Sequence, residues 1–343
     1  MKKRTIAFLL CAVMVLGLAA CGKPAASSSS VSGSASAEVS GDVSTPAPEI
    51  GINVMALAGP TGVGMAKMMA DTTAADPYVY TVVSENSEVG AALIKGDTDI
   101  ACVATNQAAN LYAKTNGGIT MLAINTLGVL YVLEKGNTVT DVASLKGKTV
   151  YAFGQGANPE FVLDYLLTKN GLDPDKDVTM EWLSTPQEVI GKMTQSTNGV
   201  CMLPVPAATN LTIKDTAVRE AINISAAWDE LSESPLVMGC VVVRNAFLQE
   251  HPELVEQFLA DYEASIKFMN DPANLTAAAD LAAAHGITAN AAIAAKAIPQ
   301  CNLAFITDTE MRDAIQGYYE VLFEADPASI GGGIPDDGFY YIP

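Results

Sequence analysis

The stretch LAGPTGVGMAKMM, residues 57–69, sets three glycines and a proline between the apolar run INVMAL and a helical pattern. A phosphate-cradling loop is the first chemistry to test against it. The Walker pattern needs Lys and then Ser or Thr directly after its second glycine, so that an ammonium reaches the β- and γ-phosphates. Gly59 and Gly64 have the right separation, but Met65 and Ala66 follow. The dinucleotide pattern G-x-G-x-x-G also fails, because Lys67 stands where a third glycine is required. What remains is a strand, a glycine-rich turn and a helix N-terminus, which together offer backbone N–H groups to a small polar or anionic solute. Gly59, Pro60, Thr61, Gly62 and Val63 are therefore candidate ligand-binding positions, with Gly59 and Gly62 serving close approach or positive φ.

Catalysis would need a nucleophile with a base, paired carboxylates or a metal cluster. The two histidines, His251 and His285, lie far along the chain from the glycine-rich loops, and each reads as a capping or solvent residue at a helix end. Glu85, Glu88 and Glu160 fall near loops without a pairing that spacing can establish. Cys102, Cys201, Cys240 and Cys301 each sit in an apolar run and read as small buried hydrophobes. No C-x-x-C or His-rich cluster suggests a metal, so a non-enzyme without cofactor or metal is expected.

The N-terminus supplies the compartment. MKKRT is a basic region, IAFLLCAVMVLGL is an apolar run of 13 residues, and AAC follows with Gly22 behind it. That run is too short for a permanent spanning helix and reads as a secretory signal over residues 1–20. LAAC resembles the lipobox of bacterial lipoproteins, which implies that Cys21 is lipidated and becomes the first mature residue. Residues 21–49, rich in Ser, Ala, Gly and Pro, then form a disordered tether, because they cannot bury enough apolar surface to offset their ordering entropy. The expected location is extracytoplasmic, on the cell membrane. With the signal removed, 16 basic side chains face 38 acidic ones, a balance that excludes nucleic acid as a partner.

From residue 50 onward short apolar runs alternate with helical patterns, the signature of an α/β protein. Strands are expected near 51–56, 78–83, 99–103, 119–124, 128–134, 149–152, 178–183, 199–203 and 237–243. Helices are expected near 63–72, 86–95, 107–115, 159–170, 186–195, 207–214, 253–270, 275–284, 289–296 and 308–324. Asn158 reads as the cap of a helix that begins at Pro159, and Gly171 ends that helix. Trp182 shares a strand face with Val178 and Met180, so it reads as core. The segment LGVLYVLEKG separates two α/β runs, and PLVMGCVVV reads as a return strand that re-enters the first. The expected domains are lobe 1 over 50–127 and 233–343, lobe 2 over 128–232, with a hinge between them.

Three segments carry a family resemblance. SLKGKTVYAFGQGANPEFVLDYLLTKNGLDPD, GDTDIACVATNQAANLYAKTNGGITMLA and VVVRNAFLQEHPELVEQFLADYEASIKFMND resemble, in the correct order, segments of ABC-transporter solute-binding proteins of the nitrate, sulfonate, taurine and thiamine-precursor type. The resemblance covers roughly residues 50–290. It implies a two-lobed periplasmic-binding-protein type II fold, each lobe a mixed sheet flanked by helices. It also implies a monomer that delivers a small solute to a permease and its ATPase. Two other functions stay open on the same fold: an enzyme like the relative that makes a thiamine pyrimidine, and a surface receptor without transport.

In such a fold the ligand lies against loops that follow strand ends and against the helix N-termini behind them. On lobe 1 these are the glycine-rich turn and Thr105, Asn106 and Gln107, whose donors and acceptors suit an oriented polar solute. On lobe 2 they are Gly154, Gln155, Gly156 and Asn158, then Ser184 and Thr185, then Pro204 and Pro206. Family members that bind sulfonates or nitrate commonly offer a cationic or strongly polar grip. Here only Arg219, Arg244 and Arg312 follow the signal, and none is expected at the C-terminal end of a strand. That weighs against a hard anion and leaves a neutral, zwitterionic or backbone-bound ligand open.

Overall fold

The computed structural model describes residues 50–343. The signal, Cys21 and the tether lie outside the described residues. The first part of the chain runs β1 (Ile52–Leu57), α1 (Pro60–Val63), α2 (Ala66–Asp71), β2 (Tyr78–Val83), α3 (Asn86–Lys95), β3 (Ile100–Ala104), α4 (Thr105–Lys114) and β4 (Ile119–Leu127). There follow β5 (Leu130–Lys135), β6 (Thr149–Phe153), α5 (Asn158–Lys169), β7 (Thr179–Leu183), α6 (Pro186–Gln195), β8 (Val200–Pro204), α7 (Ala207–Lys214), β9 (Val218–Asn223) and α8 (Ile224–Asp229). The last part is β10 (Val237–Arg244), α9 (Asn245–Glu250), α10 (Pro252–Asn270), α11 (Leu275–Ala284), α12 (Ala291–Ala297), β11 (Leu303–Ile306) and α13 (Asp308–Ala325).

Two mixed sheets result. One is ordered β11-β4-β10-β3-β1-β2 and the other β7-β6-β8-β5-β9. In the first, β1 runs parallel to β2 and β3, while β10 is antiparallel to β3 and β4. In the second, β6 runs parallel to β7 and β8, while β5 is antiparallel to β8 and β9. Burial follows position in the sheet. β3 and β4 are buried almost throughout, as strands covered on both faces are, whereas the edge strand β2 exposes Val79 and Thr81 on either side of the half-buried Tyr80.

The chain leaves the first sheet after Leu127 and returns at Val237, so it crosses between sheets twice. The crossings touch one another. A Cβ on Gly128 would stand 2.0 Å from Ser225 Oγ and 3.0 Å from Leu236. Asn302 Nδ2 donates to the Gly128 carbonyl at 2.5 Å and the Val205 amide to the Val129 carbonyl at 3.0 Å. Helix α13 also reaches across, where Trp228 lies 5.7 Å from Tyr318 and 4.8 Å from Tyr165, ring centre to ring centre.

Several local readings change. The expected helix over 63–72 is two short helices, α1 and α2, separated at Gly64–Met65. Asn158 is not the cap of α5. Ala157 takes that place, and the Asn158 side chain bonds elsewhere. Thr105, Asn106 and Gln107 form the first turn of α4 rather than a loop before it. Strands β9 and β11 lie at sheet edges, and the charged residues of VREAIN masked the alternation of β9. Gly171 does follow α5 with φ of 76°, and Leu172 N bonds back to Leu167 O at 2.9 Å. Trp182 is partly buried against the core, and the four described cysteines are free and buried. His251 caps α10 without a side-chain bond, and His285 ends α11.

An ion pair between the buried Glu134 and the solvent-facing Arg219 anchors the far end of the second sheet. Glu134 accepts from Thr138 N and Oγ1, from Val139 N and from Arg219 Nη2 at 2.6 Å. Burial alone would raise its pKa, yet these donors together hold it down, from an ordinary 4.5 to about 2. A carboxylate depressed on folding adds stability above its unfolded pKa and loses it as pH falls through the folded value. Glu134→Gln should therefore destabilise the protein by roughly 1–3 kcal/mol at neutral pH. In urea unfolding followed across pH, the gap between wild type and variant should shrink between about 4.5 and about 2. A constant gap would show that the charge of Glu134 is not what stabilises.

Candidate functional site

Between the two sheets lies a cavity of about 530 Å³. Leu57, Ala104, Phe153 and Pro204, the last residues of β1, β3, β6 and β8, all line it. It therefore occupies the C-terminal edge of the parallel strands of both sheets, where open α/β sheets place their ligands. Behind each strand end the chain turns into a helix, so Pro60 of α1, Asn86 of α3, Pro159 of α5, Pro186 of α6 and Ala207 of α7 also reach the wall. The positive ends of these helix dipoles converge on one space.

Of the expected site residues, Gly59, Pro60, Thr61, Gly154, Asn158, Thr185, Pro204 and Pro206 line the cavity. Gly59 has φ of 107°, and a methyl group placed on it would meet no atom within 4 Å, so its conformation and not crowding calls for glycine. Gly62, Val63, Thr105, Asn106, Gln107, Gln155, Gly156 and Ser184 stand outside the lining. The close approach at Gly62 is to the protein itself: a Cβ there would lie 2.2 Å from the Leu57 carbonyl oxygen. Val63, Thr105 and Asn106 are buried behind the wall, whereas Gln155, Gly156 and Ser184 face solvent. Two parts of the wall carried no recognisable sequence signal. Ser84 and Glu85 precede α3, and Gly286–Ala289 join α11 to α12, where Gly59 N donates to Ile287 O at 3.0 Å.

Asn158 ties the two sheets together at the back of the cavity. Its Nδ2 donates to Thr105 Oγ1 at 3.0 Å and to the Met238 carbonyl at 3.1 Å, both on the first-sheet side. Thr105 Oγ1 in turn donates to Val237 O, and Tyr319 donates to Thr105 O. Asn158 Oδ1 and Thr288 Oγ1, both buried wall residues, have no hydrogen-bond partner.

A polar network holds the 59–61 turn from below. Asn125 Nδ2 donates to Thr61 O at 3.1 Å and to Tyr262 Oη at 2.9 Å, and Thr126 Oγ1 donates to Asn125 Oδ1 at 3.0 Å. Ser265 Oγ donates to Gly64 O and accepts from Met68 N, which fixes the joint between α1 and α2. Burial pushes the Cys102 thiol, beside Tyr262 and Asn125, up to about 12, so it is a neutral member of this network. Gly239 leaves the space in which Thr61 and Asn125 meet.

No Lys, Arg or His belongs to the lining, and Glu85 is its one charged residue. The arginines are committed elsewhere. Arg219 holds Glu134 and the Gly136 carbonyl, Arg244 holds Asp99 and the Thr98 carbonyl, and Arg312 pairs with Asp313. Arg244 does end a strand, contrary to the sequence reading. That strand is the antiparallel β10, so the guanidinium sits beside the starts of β3 and β4, at the edge away from the cavity. No group of three or more His, Cys, Asp or Glu positioned to hold a metal occurs among the described residues.

The model of the ABC-transporter family described as phosphonate periplasmic substrate-binding protein matches residues 64–293. The chain belongs to that family. Membership makes this protein an extracytoplasmic substrate-binding component of an ABC transporter for small solutes, and no helix among its described residues is long and apolar enough to cross a membrane. No curated protein matches it in sequence. Among solved structures, an ABC transporter from Parabacteroides distasonis is 25% identical, with a TM-score of 0.72 over 86% of this chain and 99% of its own. The periplasmic aliphatic sulphonate binding protein SsuA from Escherichia coli is 14% identical, with a TM-score of 0.69 over 85% of this chain and 92% of its own. The periplasmic nitrate-binding protein NrtA from Synechocystis is 15% identical, with a TM-score of 0.52 over 69% and 67%. The substrate-binding protein thus shares the two-lobed periplasmic-binding-protein fold.

Gly239→Ala tests the support beneath the wall. Its methyl would stand 2.1 Å from Thr61 Cγ2 and 2.8 Å from Asn125 Oδ1, so α1 must move. The expected cost is roughly 1–3 kcal/mol in urea unfolding, with faster amide exchange confined to residues around Thr61. Unchanged exchange there would show that the turn is held by other contacts.

Proposed function

We propose that this chain is the lipid-anchored solute-binding subunit of an ABC importer, which captures a small organic solute between its lobes and hands it unaltered to a permease coupled to an ATPase. The observation that carries the reading is the cavity of about 530 Å³, walled by strand ends of both sheets, in a chain of this family. That volume is in the range of small-molecule sites. Lobe 1 comprises 50–127 and 233–343 and lobe 2 comprises 128–232, with the paired crossings at Gly128 and Ser225 as the hinge. The Asn158 tie favours the closed arrangement, and Gly59, Pro60, Thr61, Gly154, Thr185, Pro204 and Pro206 meet the solute. Cys21 carries the lipid, and the tether behind it gives a monomeric receptor reach to its membrane partner. On this reading the protein binds without catalysis, in keeping with a family of transporter substrate-binding proteins.

Two measurements test this. A bound solute at one hundred times its Kd should stabilise the protein by about 2.7 kcal/mol in a thermal-shift screen and be recovered chemically unchanged. A modified product would favour an enzyme. Asn158→Ala should weaken that solute roughly 5- to 150-fold in calorimetric titration, because it removes two bonds across the lobes. Lys67→Ala, whose ammonium lies outside the cavity and pairs with Asp71, should leave affinity unchanged. The reverse pattern would place the site elsewhere.

A further inference from the structure

A helix N-terminus holds an anion because the N–H groups of its first turn point at the ligand. In this cavity proline stands at several of these helix starts. Pro60, Pro159 and Pro186 stand in the first turns of α1, α5 and α6, Pro206 caps α7, and all four line the wall. Each sets an apolar ring on the wall and lacks the one N–H that another residue would carry there.

Several polar side chains of the wall are turned to the protein. Thr126 Oγ1 donates to Asn125, Thr185 Oγ1 accepts from Glu188 N, and Asn158 Nδ2 is spent on Thr105 and Met238. Among the buried wall groups, Thr288 Oγ1 is a hydroxyl still without a partner. Ser84, Asn86, Gln187 and Asn210 add neutral polar groups, and Val129, Leu130, Phe153, Ile287 and Ile293 supply apolar surface. The one charge in the lining is the carboxylate of Glu85, exposed beside the first turn of α3. An entering anion would lose its hydration, gain no cation and meet a like charge, a loss that grows steeply for a dianion. The whole-chain charge of −19 adds no steering toward anions.

We infer that this cavity selects an uncharged organic solute, with an apolar ring or branched body against the prolines and an acceptor group within reach of Thr288, and that it rejects dianionic phosphonates. The inference rests on the solute-binding reading and narrows its ligand class.

A matched panel tests it on the wild-type protein: for each of several cyclic and branched hydrocarbon bodies, the carboxamide, the sulfonate and the phosphonate, titrated by calorimetry at neutral pH. The carboxamide of the best body should bind at least tenfold more tightly than its sulfonate, and its phosphonate should show no binding. The affinity of the carboxamide should also be the same at low and high salt, because no ion pair forms. A sulfonate or phosphonate that binds as tightly as its carboxamide would overturn the inference and leave the solute-binding reading intact. Silence from all three classes, with no small molecule found by native mass spectrometry on protein purified from its source, would overturn both.

Discussion

The cleft exists because the chain crosses twice between two sheets and both crossings pass one tight spot, where Gly128 meets Ser225 with no room for a Cβ. Everything that lines the cavity is oriented from there. On one side β4 hands over to β5, and on the other α8 hands over to β10. Because the crossings are in contact, the two sheets present their C-terminal edges to each other across one cleft. A methyl group at position 128 would have to displace one crossing from the other, and with it one wall of the site.

Each wall is held by polar contacts, buried beneath the glycine-rich turn and exposed at the start of α6. In lobe 1 Asn125 reaches Thr61 and Tyr262, and Ser265 reaches Gly64 and Met68, so the glycine-rich turn is bonded to β4 and α10 at once. In lobe 2 the first turn of α6 is closed reciprocally, with Glu188 N on Thr185 and Ser184 N on Glu188. These bonds hold the helix starts in place.

Family membership and cavity chemistry bear on different questions. The fold places a space between two sheets and brings helix dipoles to it. What that space accepts depends on side chains and prolines that differ within one architecture. The three arginines of the described chain show how this comes about, since each is bound to a carboxylate or carbonyl away from the cavity.

Much of the architecture was written locally. Alternation in INVMAL, the apolar runs of β3 and β8, the glycine after α5 and the prolines at helix starts are short-range signals, and they named nearly every central strand and long helix. Edge strands escaped, because VREAIN and LAFI are covered on fewer sides and carry weaker patterns. The sequence also determined that a glycine-rich turn without a Walker lysine follows β1, and that His and metal-ligand patterns are missing from it. Only the tertiary structure decided which helix-start residues meet the cavity. Thr105 and Asn158 look equally polar and equally terminal in the sequence, yet one is sealed behind Ala104 and the other reaches past the wall to bond with it. Gly286–Ala289 became wall because α11 and α12 pack beside the turn at Gly59, a contact between residues far apart in the chain. Local patterns are set by backbone geometry within a few residues, whereas the direction a side chain faces across a cleft is set by how two sheets and their crossings pack.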